Sequence, residues 1–433
     1  MTKSDDRVHD GGNLYGELTW RGLVYDATEG LPEILARERV TAYIGFDPSA
    51  PSLHVGSLMT LMALARLQRF GHSPIAIAGG GTGMVGDPSG KAQERSLLSV
   101  EELERNLEGI RPQLARFLDF DAPSNPARIV NNADWLGAFG LLEFLRDTGK
   151  YFTVNYMLQK ESVNRRLESD EGISFTEFSY LLLQARDFLE LYDRYHCTLQ
   201  LGGSDQWGNI TAGIDLIRRL RAKKVHGLVV PLLTTAAGVK FGKTEAGTVW
   251  LDPSRTLPYR FYQFWLNTDD RDVVAYLRYF TFLDRDTVEA LERATAAAPE
   301  KREAQRVLAR EVTGLVHGQD QVVRAERAAA VLFGEDITTL DPADVFALFE
   351  DVPSAEVPSS DLVDGLPVVD LVARVQLAPS KGEARRLVQS GGVYVNNRRI
   401  MDVRTRLTRD QAIGGRLFVL RKGQKQQFLV RLT

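Results

Sequence analysis

Two short apolar segments joined by a helical stretch constrain the fold of this chain more than any other feature. Residues 41–45 have the composition of a buried strand and lead into the turn Phe46-Asp47-Pro48-Ser49. A helical pattern follows from about residue 53 to 70, and residues 74–78 form a second apolar segment that runs into three consecutive glycines. Strand, helix and strand, with glycines after the strands, predict a parallel α/β sheet of the nucleotide-binding type. Ligands bind such sheets at the carboxyl ends of the strands, where these turns lie.

Three other regions of the chain have a recognisable character. Amphipathic helices are predicted near 100–118, 141–148 and 156–168, and residues 271–332 have a helical pattern nearly throughout. Residues 351–360 are rich in Pro and Ser, which is typical of a linker. The 433 residues therefore suffice for a sheet domain, a helical domain and a smaller module after the linker.

Charge is divided unevenly along the chain. The net charge is −4, which alone argues against a nucleic-acid-binding protein. Residues 357–433 nevertheless hold 14 Lys and Arg against 6 Asp and Glu, so that the remainder carries 39 against 51. A basic module on an acidic body predicts that the C-terminal part contacts phosphates, although a merely basic small domain would have the same composition.

The cysteine content and the N-terminus bear on the compartment. Cys197 is the only cysteine in the sequence, which excludes an internal disulfide and a cysteine-based zinc cluster. Residues 1–18 lack the apolar core of a signal peptide, and no run of about 18 apolar residues occurs. We therefore predict a cytoplasmic protein without a membrane partner.

The first candidate motif, Leu53-His54-Val55-Gly56-Ser57, opens the helix after the first strand. Gly56 lets a ligand approach the backbone, the start of a helix favours an anion, and His54 can donate a hydrogen bond to a phosphate. On its own, however, a histidine at this position more often caps the helix or packs in the core.

The second motif is the glycine-rich segment 79–91, in which Asp87 supplies a carboxylate and Lys91 a cation. Its glycines would let the backbone lie against a ligand. The segment matches neither the P-loop pattern nor the full dinucleotide fingerprint, and a flexible loop is the alternative interpretation.

The third motif places polar side chains at helical spacing in an apolar setting. Tyr180, Gln184 and Asp187 follow one another at intervals of four and three, which puts them on one helical face. Such a stripe often faces water. Because the neighbouring residues are strongly apolar, we expect these groups to be buried, where a polar ligand would satisfy them.

Two further motifs occur later in the chain. Gly202-Gly203-Ser204-Asp205-Gln206-Trp207-Gly208-Asn209 follows a predicted strand, and its Asp205 is suited to accept hydrogen bonds from ribose hydroxyls. Lys240-Phe241-Gly242-Lys243-Thr244 has two lysines three residues apart, which suits a mobile loop that closes on polyphosphate. A pair of surface lysines is the commoner explanation of that pattern.

Taken in order, these segments resemble the class I aminoacyl-tRNA synthetases. His54-Val55-Gly56-Ser57 followed by Lys240-Phe241-Gly242-Lys243-Thr244 is similar to the paired HIGH and KMSKS signatures of that class. Other segments resemble the bacterial tyrosyl-tRNA synthetases: Tyr43-Ile44-Gly45-Phe46-Asp47-Pro48, Gly86-Asp87-Pro88-Ser89-Gly90-Lys91, Val154-Asn155-Tyr156-Met157, residues 172–180 and residues 202–209. The likeness runs from about Leu18 to the C-terminus, where Pro379-Ser380-Lys381, Ala384-Arg385-Arg386 and residues 392–396 resemble an S4-type RNA-binding domain.

The resemblance implies a fold class and domain bounds. We expect an α/β protein in which a Rossmann-like parallel-sheet catalytic domain is followed by an α-helical domain and a small α+β S4-type RNA-binding domain. The expected bounds are 1–230 for the catalytic domain, about 125–170 for a helical dimer-interface insertion in it, 231–350 for the KMSKS-like loop and helical tRNA-contacting domain, 351–360 for the linker and 361–433 for the S4-type domain.

The resemblance also implies roles for individual residues. Those implied for tyrosine are Tyr43 and Asp187 at the phenolic hydroxyl, Tyr180, Gln184 and Asp87 at the ammonium group, and Gln206 at the reacting carboxyl region. Those implied for ATP are Gly45, Asp47, Ser49, His54, Gly56, Asp205, Gln206, Lys240 and Lys243. Those implied for catalysis are His54, Ser57, Lys91, Lys240, Lys243 and Thr244, and those for tRNA are Lys91, Arg95, Lys381, Arg385, Arg386, Arg398 and Arg399.

The implied ligands are L-tyrosine, tRNA(Tyr) and ATP with Mg²⁺ as the substrate complex. No tightly bound cofactor, no protein-held metal and a homodimer are expected. Two positions depart from the family pattern, since Ser57 replaces the last His of HIGH and Ile44 stands where a Cys can contact the ribose. Two alternatives remain: a tryptophanyl-tRNA synthetase, which shares the fold, and a non-catalytic RNA-binding protein derived from a synthetase, which would be expected to lose His54 or the lysines.

Overall fold

The computed structural model describes residues 13–89, 98–168, 172–236, 238, 241–244, 247–332, 337, 340–349, 352–423 and 426–433. The chain forms two compact units, residues 1–256 with 264–316 and residues 257–263 with 317–433. The mixed α/β fold class predicted from the sequence is confirmed.

Strands occur in both units. In chain order they are β1 (Asp26–Ala27), β2 (Thr41–Phe46), β3 (Ser73–Ala78), β4 (Arg128–Asn131), β5 (Cys197–Gly203), β6 (His226–Val230), β7 (Lys243–Thr244), β8 (Gly247–Thr248), β9 (Ser354–Val357), β10 (Leu366–Pro367), β11 (Val393–Val395), β12 (Arg398–Ile400), β13 (Arg406–Leu407), β14 (Leu417–Lys422) and β15 (Gln426–Leu432).

The helices are α1 (Leu14–Trp20), α2 (Leu31–Arg37), α3 (Val55–Arg69), α4 (Val100–Leu114), α5 (Ala133–Leu136), α6 (Leu141–Asp147), α7 (Val154–Leu158), α8 (Glu161–Leu167), α9 (Phe175–Tyr195), α10 (Trp207–Arg221), α11 (Pro258–Leu266), α12 (Asp270–Phe280), α13 (Arg285–Ala297), α14 (Glu303–His317), α15 (Gln319–Leu332), α16 (Pro342–Leu348), α17 (Val368–Arg374) and α18 (Lys381–Gln389). Within the described ranges, no helix is both long enough and apolar enough to cross a membrane.

The first unit is built on a six-stranded sheet in the order β1-β6-β5-β2-β3-β4. Its neighbours pair in parallel except at the edge, where β1 runs antiparallel to β6. β3 and β6 are buried almost throughout, as expected for strands covered on both faces. The turns after β2, β3 and β5 therefore lie at one edge of the sheet, as the strand–helix–strand pattern predicts.

The helical prediction for 156–168 needs correction. Two short helices, α7 and α8, occupy this region, because Lys160 has extended backbone angles and begins a new helix. Thr153 caps the first of the two by accepting from the backbone N–H of Tyr156.

Two buried arginines hold the C-terminal end of α12. Arg66 of α3 donates through Nη2 to the carbonyl oxygens of Arg278 and Thr281, at 3.1 and 2.6 Å. Arg21 donates through Nη1 to the same two oxygens, at 2.9 and 3.2 Å, and through Nε to Glu17. Carbonyls at a helix end lack partners inside the helix, and a cation suits the negative end of its dipole. The contact ties α3 and the segment after α1 to α12.

The second unit contains a five-stranded sheet in the order β12-β11-β14-β15-β9. One group of buried side chains lies among α17, α18 and this sheet, and includes Leu371, Val388 and Phe418. A second group joins α16 and the segment before it to other strand residues, and it consists of Ile337, Leu340, Val345, Phe349, Ile413, Leu417, Val419 and Leu429. Helices therefore cover more than one part of the sheet.

The predicted linker 351–360 and the domain boundary at 361 need correction. Within this segment β9 pairs in parallel with β15, and Val357 is fully buried. Pro353 and Pro358 flank a four-residue edge strand, a position that tolerates proline, so the Pro-rich composition marks strand ends and not a linker. Because α16 packs on the same sheet, the C-terminal domain begins before residue 345 and the predicted helical domain ends earlier than 350.

Candidate active site

A cavity of about 660 Å³ opens at the carboxyl edge of the six-stranded sheet, between the start of α3 and the middle of α9. Among its lining residues are many that the sequence singled out: Tyr43, Gly45, Asp47, Ser49, His54, Gly56, Ser57, Asp87, Tyr180, Gln184, Asp187, Asp205 and Gln206. The five separate motifs therefore contribute to one site.

Asp187 forms the deepest polar group of the cavity. Its side chain is 3% exposed, its Oδ2 accepts from Nδ2 of Asn132 at 2.8 Å, and its Oδ1 accepts from Nε1 of Trp135 at 2.7 Å. Tyr43 lies nearby on β2 and packs edge-on against Phe188. The Tyr43 hydroxyl is buried and has no hydrogen-bond partner among the described residues. A ligand with a hydroxyl at this depth would give Tyr43 a partner and Asp187 a third donor.

Burial governs the ionisation of this pair. Removal from water raises the pKa of Asp187 to about 7, against the opposing effect of the hydrogen bonds from Asn132 and Trp135. Burial, together with the nearby Asp187 carboxylate, also raises the pKa of Tyr43 well above its usual value. The hydroxyl of Tyr43 therefore remains protonated, whereas Asp187 changes charge close to neutral pH.

A chain of hydrogen bonds joins Asp187 to the opposite side of the cavity. Asn132 is fully buried, and its Nδ2 donates to Oγ1 of Thr82 at 2.9 Å as well as to Asp187. Thr82 in turn donates to Oδ1 of Asp47 at 3.0 Å, and the hydroxyl of Tyr180 lies 3.4 Å from the other Asp47 oxygen. Because the Oδ1 of Asn132 accepts from the backbone of Gly81, the orientation of its amide is fixed.

A second polar cluster lies beside Asp87. The Nε2 of Gln206 donates to Asp87 at 2.6 Å, and the Nε2 of Gln184 donates to Oε1 of Gln206 at 3.2 Å. Asn209 donates to the amide oxygens of both glutamines. Carboxylate and amide oxygens held together in this way suit a ligand that carries an ammonium group.

His54 lies at the mouth of the cavity and not in the core. Its side chain is exposed, and although it occupies the N-cap position of α3 it makes no capping hydrogen bond to the helix. The ring lies beside Gly56, where an added Cβ would come within 2.7 Å of the His54 Cε1. The two structural explanations that the sequence left open, a cap or a core histidine, therefore do not apply.

The segment around Phe241 contacts the start of α3. Phe241 is buried and stacks on Phe280 at 5.3 Å, with Tyr276 edge-on at 5.0 Å. Gly242 has a positive φ, and a Cβ there would lie 2.7 Å from Val55, one residue after His54. The backbone thus brings the Lys240–Thr244 motif against the His54 motif, although 186 positions separate their first residues.

Five of the predicted site residues cannot be located in full. Lys91, Arg95 and Lys240 lie outside the described residues. Lys243 and Thr244 form the backbone of β7, and their side chains also lie outside what the structure describes.

The residues predicted to bind tRNA lie in the second unit on α18 and β12. Lys381, Arg385 and Arg386 are exposed on α18, and Lys381 forms an ion pair with Asp370 at 2.7 Å. Arg398 and Arg399 are exposed on β12. Arg399 donates through Nε and Nη2 to the carbonyl oxygens of Gly391 and Ser390, just beyond α18, so part of its hydrogen-bonding capacity serves the fold.

Sequence reasoning missed four side chains that organise the cavity: Thr82, Asn132, Trp135 and Asn209. Thr82 and Asn209 stand inside motifs that drew attention for other residues. Asn132 follows β4, a short and partly exposed strand that the apolar pattern did not reveal. Prediction of that strand would have placed Asn132 at the same edge of the sheet as the other motifs.

The chain matches two family descriptions. Residues 35–334 match "tRNA synthetases class I (W and Y)", and residues 344–430 match the C-terminal domain of tyrosine–tRNA ligases of the SYY type. A tyrosine–tRNA ligase from Roseiflexus castenholzii is 58% identical over 421 residues, which cover 97% of this chain and 99% of the relative. A tyrosine–tRNA ligase from Geobacillus stearothermophilus is 52% identical over 422 residues, with 97% and 99% coverage.

Solved structures agree with these matches. A C-terminally truncated mitochondrial tyrosyl-tRNA synthetase from Aspergillus nidulans is 31% identical and has a TM-score of 0.67, covering 74% of this chain and 94% of that one. A tryptophanyl-tRNA synthetase from Encephalitozoon cuniculi has a TM-score of 0.51 at 16% identity, covering 71% and 87%, and so shares the fold alone.

Proposed function

We infer from the membership of this chain in the tyrosine–tRNA ligases, class I aminoacyl-tRNA synthetases, how its cavity divides the work of the reaction. Enzymes of this family use tyrosine, ATP and tRNA. The enzyme activates L-tyrosine with ATP to tyrosyl-adenylate and pyrophosphate, and then transfers the tyrosyl group to the 3′ end of its tRNA.

The observation that supports the assignment of roles is the pairing of Asp187 with the partnerless hydroxyl of Tyr43. A phenol donates to Asp187 and accepts from Tyr43, which satisfies both groups. An indole or a phenyl ring has no hydroxyl to offer, so tryptophan or phenylalanine would leave both groups without a partner.

The remaining roles follow from the position of each group in the cavity. We assign the ammonium group of tyrosine to Tyr180, Gln184 and Asp87, and its carboxylate region to Gln206. Asp47, Asp205 and the backbone at Gly45 would hold the nucleoside, and His54, Ser49, Gly56 and Ser57 the phosphates of Mg²⁺–ATP. Lys91, Lys240, Lys243 and Thr244 are proposed to gather at the departing pyrophosphate.

The chemistry requires charge stabilisation more than proton transfer. The carboxylate of tyrosine is already ionised when it attacks the α-phosphorus, and the bond to the pyrophosphate oxygen breaks as the acyl–phosphate bond forms. Negative charge gathers on the leaving pyrophosphate, so cationic and hydrogen-bonding groups placed for that state supply the rate. In the second step a ribose hydroxyl of the tRNA attacks the adenylate carbonyl and releases AMP.

The C-terminal domain is proposed to hold the tRNA. The domain includes α18 and β12 with Lys381, Arg385, Arg386, Arg398 and Arg399, and residues 357–433 carry a strong excess of cations. Such a surface binds phosphates with little dependence on sequence. Lys91 and Arg95 are proposed to meet the acceptor end near the cavity.

ATP–pyrophosphate exchange with the purified protein tests the assignment of the cavity. The exchange is measured without tRNA, with tyrosine, tryptophan and phenylalanine in separate reactions. We expect exchange with tyrosine alone. Exchange with tryptophan at a comparable kcat/KM would contradict the pairing of Asp187 and Tyr43 as the selective element.

The pH dependence of tyrosine use follows from the raised pKa of Asp187. The phenol donates to the ionised carboxylate, so kcat/KM for tyrosine should fall about tenfold between pH 8 and pH 6, with an inflection near 7. Folding has the opposite sign, because the folded state holds this proton more tightly than the unfolded chain: the contribution of Asp187 to stability is lost as pH rises from about 4 to 7. A flat kcat/KM profile from pH 6 to 8 would contradict the assignment.

The enzyme is further proposed to act as a homodimer through an apolar surface formed by Leu141, Leu142, Leu145, Val154 and Phe175. Leu142 is 81% and Phe175 76% exposed, which is unusual for large apolar side chains. The surface lies in the helices of residues 141–175, near the insertion expected at about 125–170.

Substitution of both residues tests the dimer. Because a two-fold interface contains each residue twice, Leu142→Asp with Phe175→Asp should weaken dimerisation by at least about a hundredfold, as measured by sedimentation equilibrium. Val363→Asp is the matched control, since Val363 is 80% exposed in the other unit. Equal weakening by the control, or none by the double variant, would place the interface elsewhere.

A further inference from the structure

Asn209 organises the amino-acid end of the cavity without lining it. The residue lies in the first turn of α10, is 5% exposed, and is not among the described residues that line the cavity. Its Nδ2 donates to Oε1 of Gln184 at 3.0 Å and to Oε1 of Gln206 at 3.1 Å, and Oγ of Ser89 lies 3.4 Å away. Neither the motif that contains Asn209 nor the proposed roles give it a function.

The orientation of each amide in this cluster follows from Asp87. Its two carboxylate oxygens accept from Nε2 of Gln206 at 2.6 Å and from the backbone N–H of Ser89 at 2.9 Å. A carboxylate only accepts, so Gln206 must direct its nitrogen to Asp87 and its oxygen to Asn209. Asn209 must then present its amide nitrogen, which also reaches the oxygen of Gln184. The direction of every bond is thereby fixed.

We propose that Asn209 is a positioning residue for recognition of the α-ammonium group of tyrosine. It acts through Gln184, whose amide oxygen it holds in place, and through Gln206, which it orients toward Asp87. The inference rests on the proposed roles of Gln184 and Asp87 at the ammonium group. An ammonium group has three donors and no acceptor, so it needs oxygens and not amide nitrogens in front of it. A glutamine without Asn209 would be able to turn its nitrogen toward the ligand.

Two variants of Asn209 test the proposal. Asn209→Leu keeps the volume and removes the donor, and Asn209→Asp keeps the shape but turns only acceptors toward two amide oxygens. Inhibition of tyrosine-dependent ATP–pyrophosphate exchange is measured with tyramine, which lacks the carboxylate, and with 3-(4-hydroxyphenyl)propionate, which lacks the ammonium group. Thr211→Val is the matched control, because Thr211 lies on the same helix and its hydroxyl donates to backbone carbonyls away from the cluster.

We expect both Asn209 variants to raise KM for tyrosine and the inhibition constant of tyramine by about ten- to a hundredfold, since two buried acceptors lose their donor. The inhibition constant of hydroxyphenylpropionate and KM for ATP should change less than about threefold, as should all constants of Thr211→Val. Equal weakening of both analogues would show a general loosening of the pocket and overturn the proposal. An Asp variant that behaves like the wild type would overturn it as well.

Measurements on the wild-type enzyme separate this proposal from the one on which it rests. If hydroxyphenylpropionate binds the wild type as tightly as tyrosine does, Gln184 and Asp87 do not take the ammonium group, and the role of Asn209 fails with them. If the wild type discriminates against that analogue but the Asn209 variants discriminate equally well, the role of Asn209 alone fails.

Discussion

Asp187→Ala should lower kcat/KM for tyrosine in ATP–pyrophosphate exchange by about a thousandfold, because the phenol loses a charged acceptor and two buried donors remain without a partner. Those donors are Nδ2 of Asn132 and Nε1 of Trp135, both within 2.8 Å of the carboxylate. Phenylalanine never uses the carboxylate, so its kcat/KM should stay unchanged or rise. Tyrosyl-tRNA synthetases are themselves the standard example of rejection of phenylalanine by about 10⁵, so that starting ratio belongs to the family at large and is no measure of this particular cavity.

Activity with phenylalanine is the control for folding in this experiment. A parallel loss of activity with both amino acids would show damage to the pocket and contradict the selective role of Asp187. Tyr43→Phe provides a milder comparison, since the hydroxyl that it removes has no partner among the described residues. We expect that variant to lose about three- to tenfold in discrimination against phenylalanine and to unfold at an unchanged or higher temperature.

A chain that ends at residue 334 should retain adenylate formation and lose aminoacylation by at least about a thousandfold, because the cationic C-terminal domain contributes the phosphate contacts that hold the tRNA. The cut follows the end of the first family match. A cut at Pro353 is a poorer choice, since it leaves Leu340, Val345 and Phe349 without the strands that bury them. Pyrophosphate exchange and charging of tRNA are measured on the same preparation.

Full-length protein with Arg385→Glu and Arg386→Glu is the matched control for the truncation. Both residues are exposed on α18, so the double variant should fold, retain exchange and lose charging more steeply as salt is raised. Loss of exchange and charging to the same extent in the truncated chain would contradict the division of labour between the two domains.

The sequence predicted the sheet and the cavity-lining motifs well, for a physical reason. β2 and β3 are buried strands with continuous apolar composition, and glycines mark their carboxyl ends. In a parallel sheet all such ends meet at one edge, so motifs scattered from Tyr43 to Gln206 converge without knowledge of any side-chain contact.

The parts that failed depend on contacts between distant segments. β9 forms because β15 offers an edge for it, and α16 belongs to the C-terminal domain because it packs on that sheet; neither fact is visible in the local composition. The same applies to Asn132 and Asn209, since a lone asparagine carries no signal until its partners are known. Residue types reveal which groups can react, whereas the groups that orient them emerge only from the fold.

The shared grip of Arg21 and Arg66 on the end of α12 has a consequence for how this lineage can change. Burial and the neighbouring Arg21 both lower the pKa of Arg66, so the two cations tolerate each other only because the same backbone oxygens hold both. Loss of either arginine by a single codon change exposes the other to unmatched desolvation, and simultaneous loss abandons the oxygens. The two positions should therefore be inherited as one unit, and a homologue that has replaced Arg66 is expected to have rebuilt residues 278–283 as well.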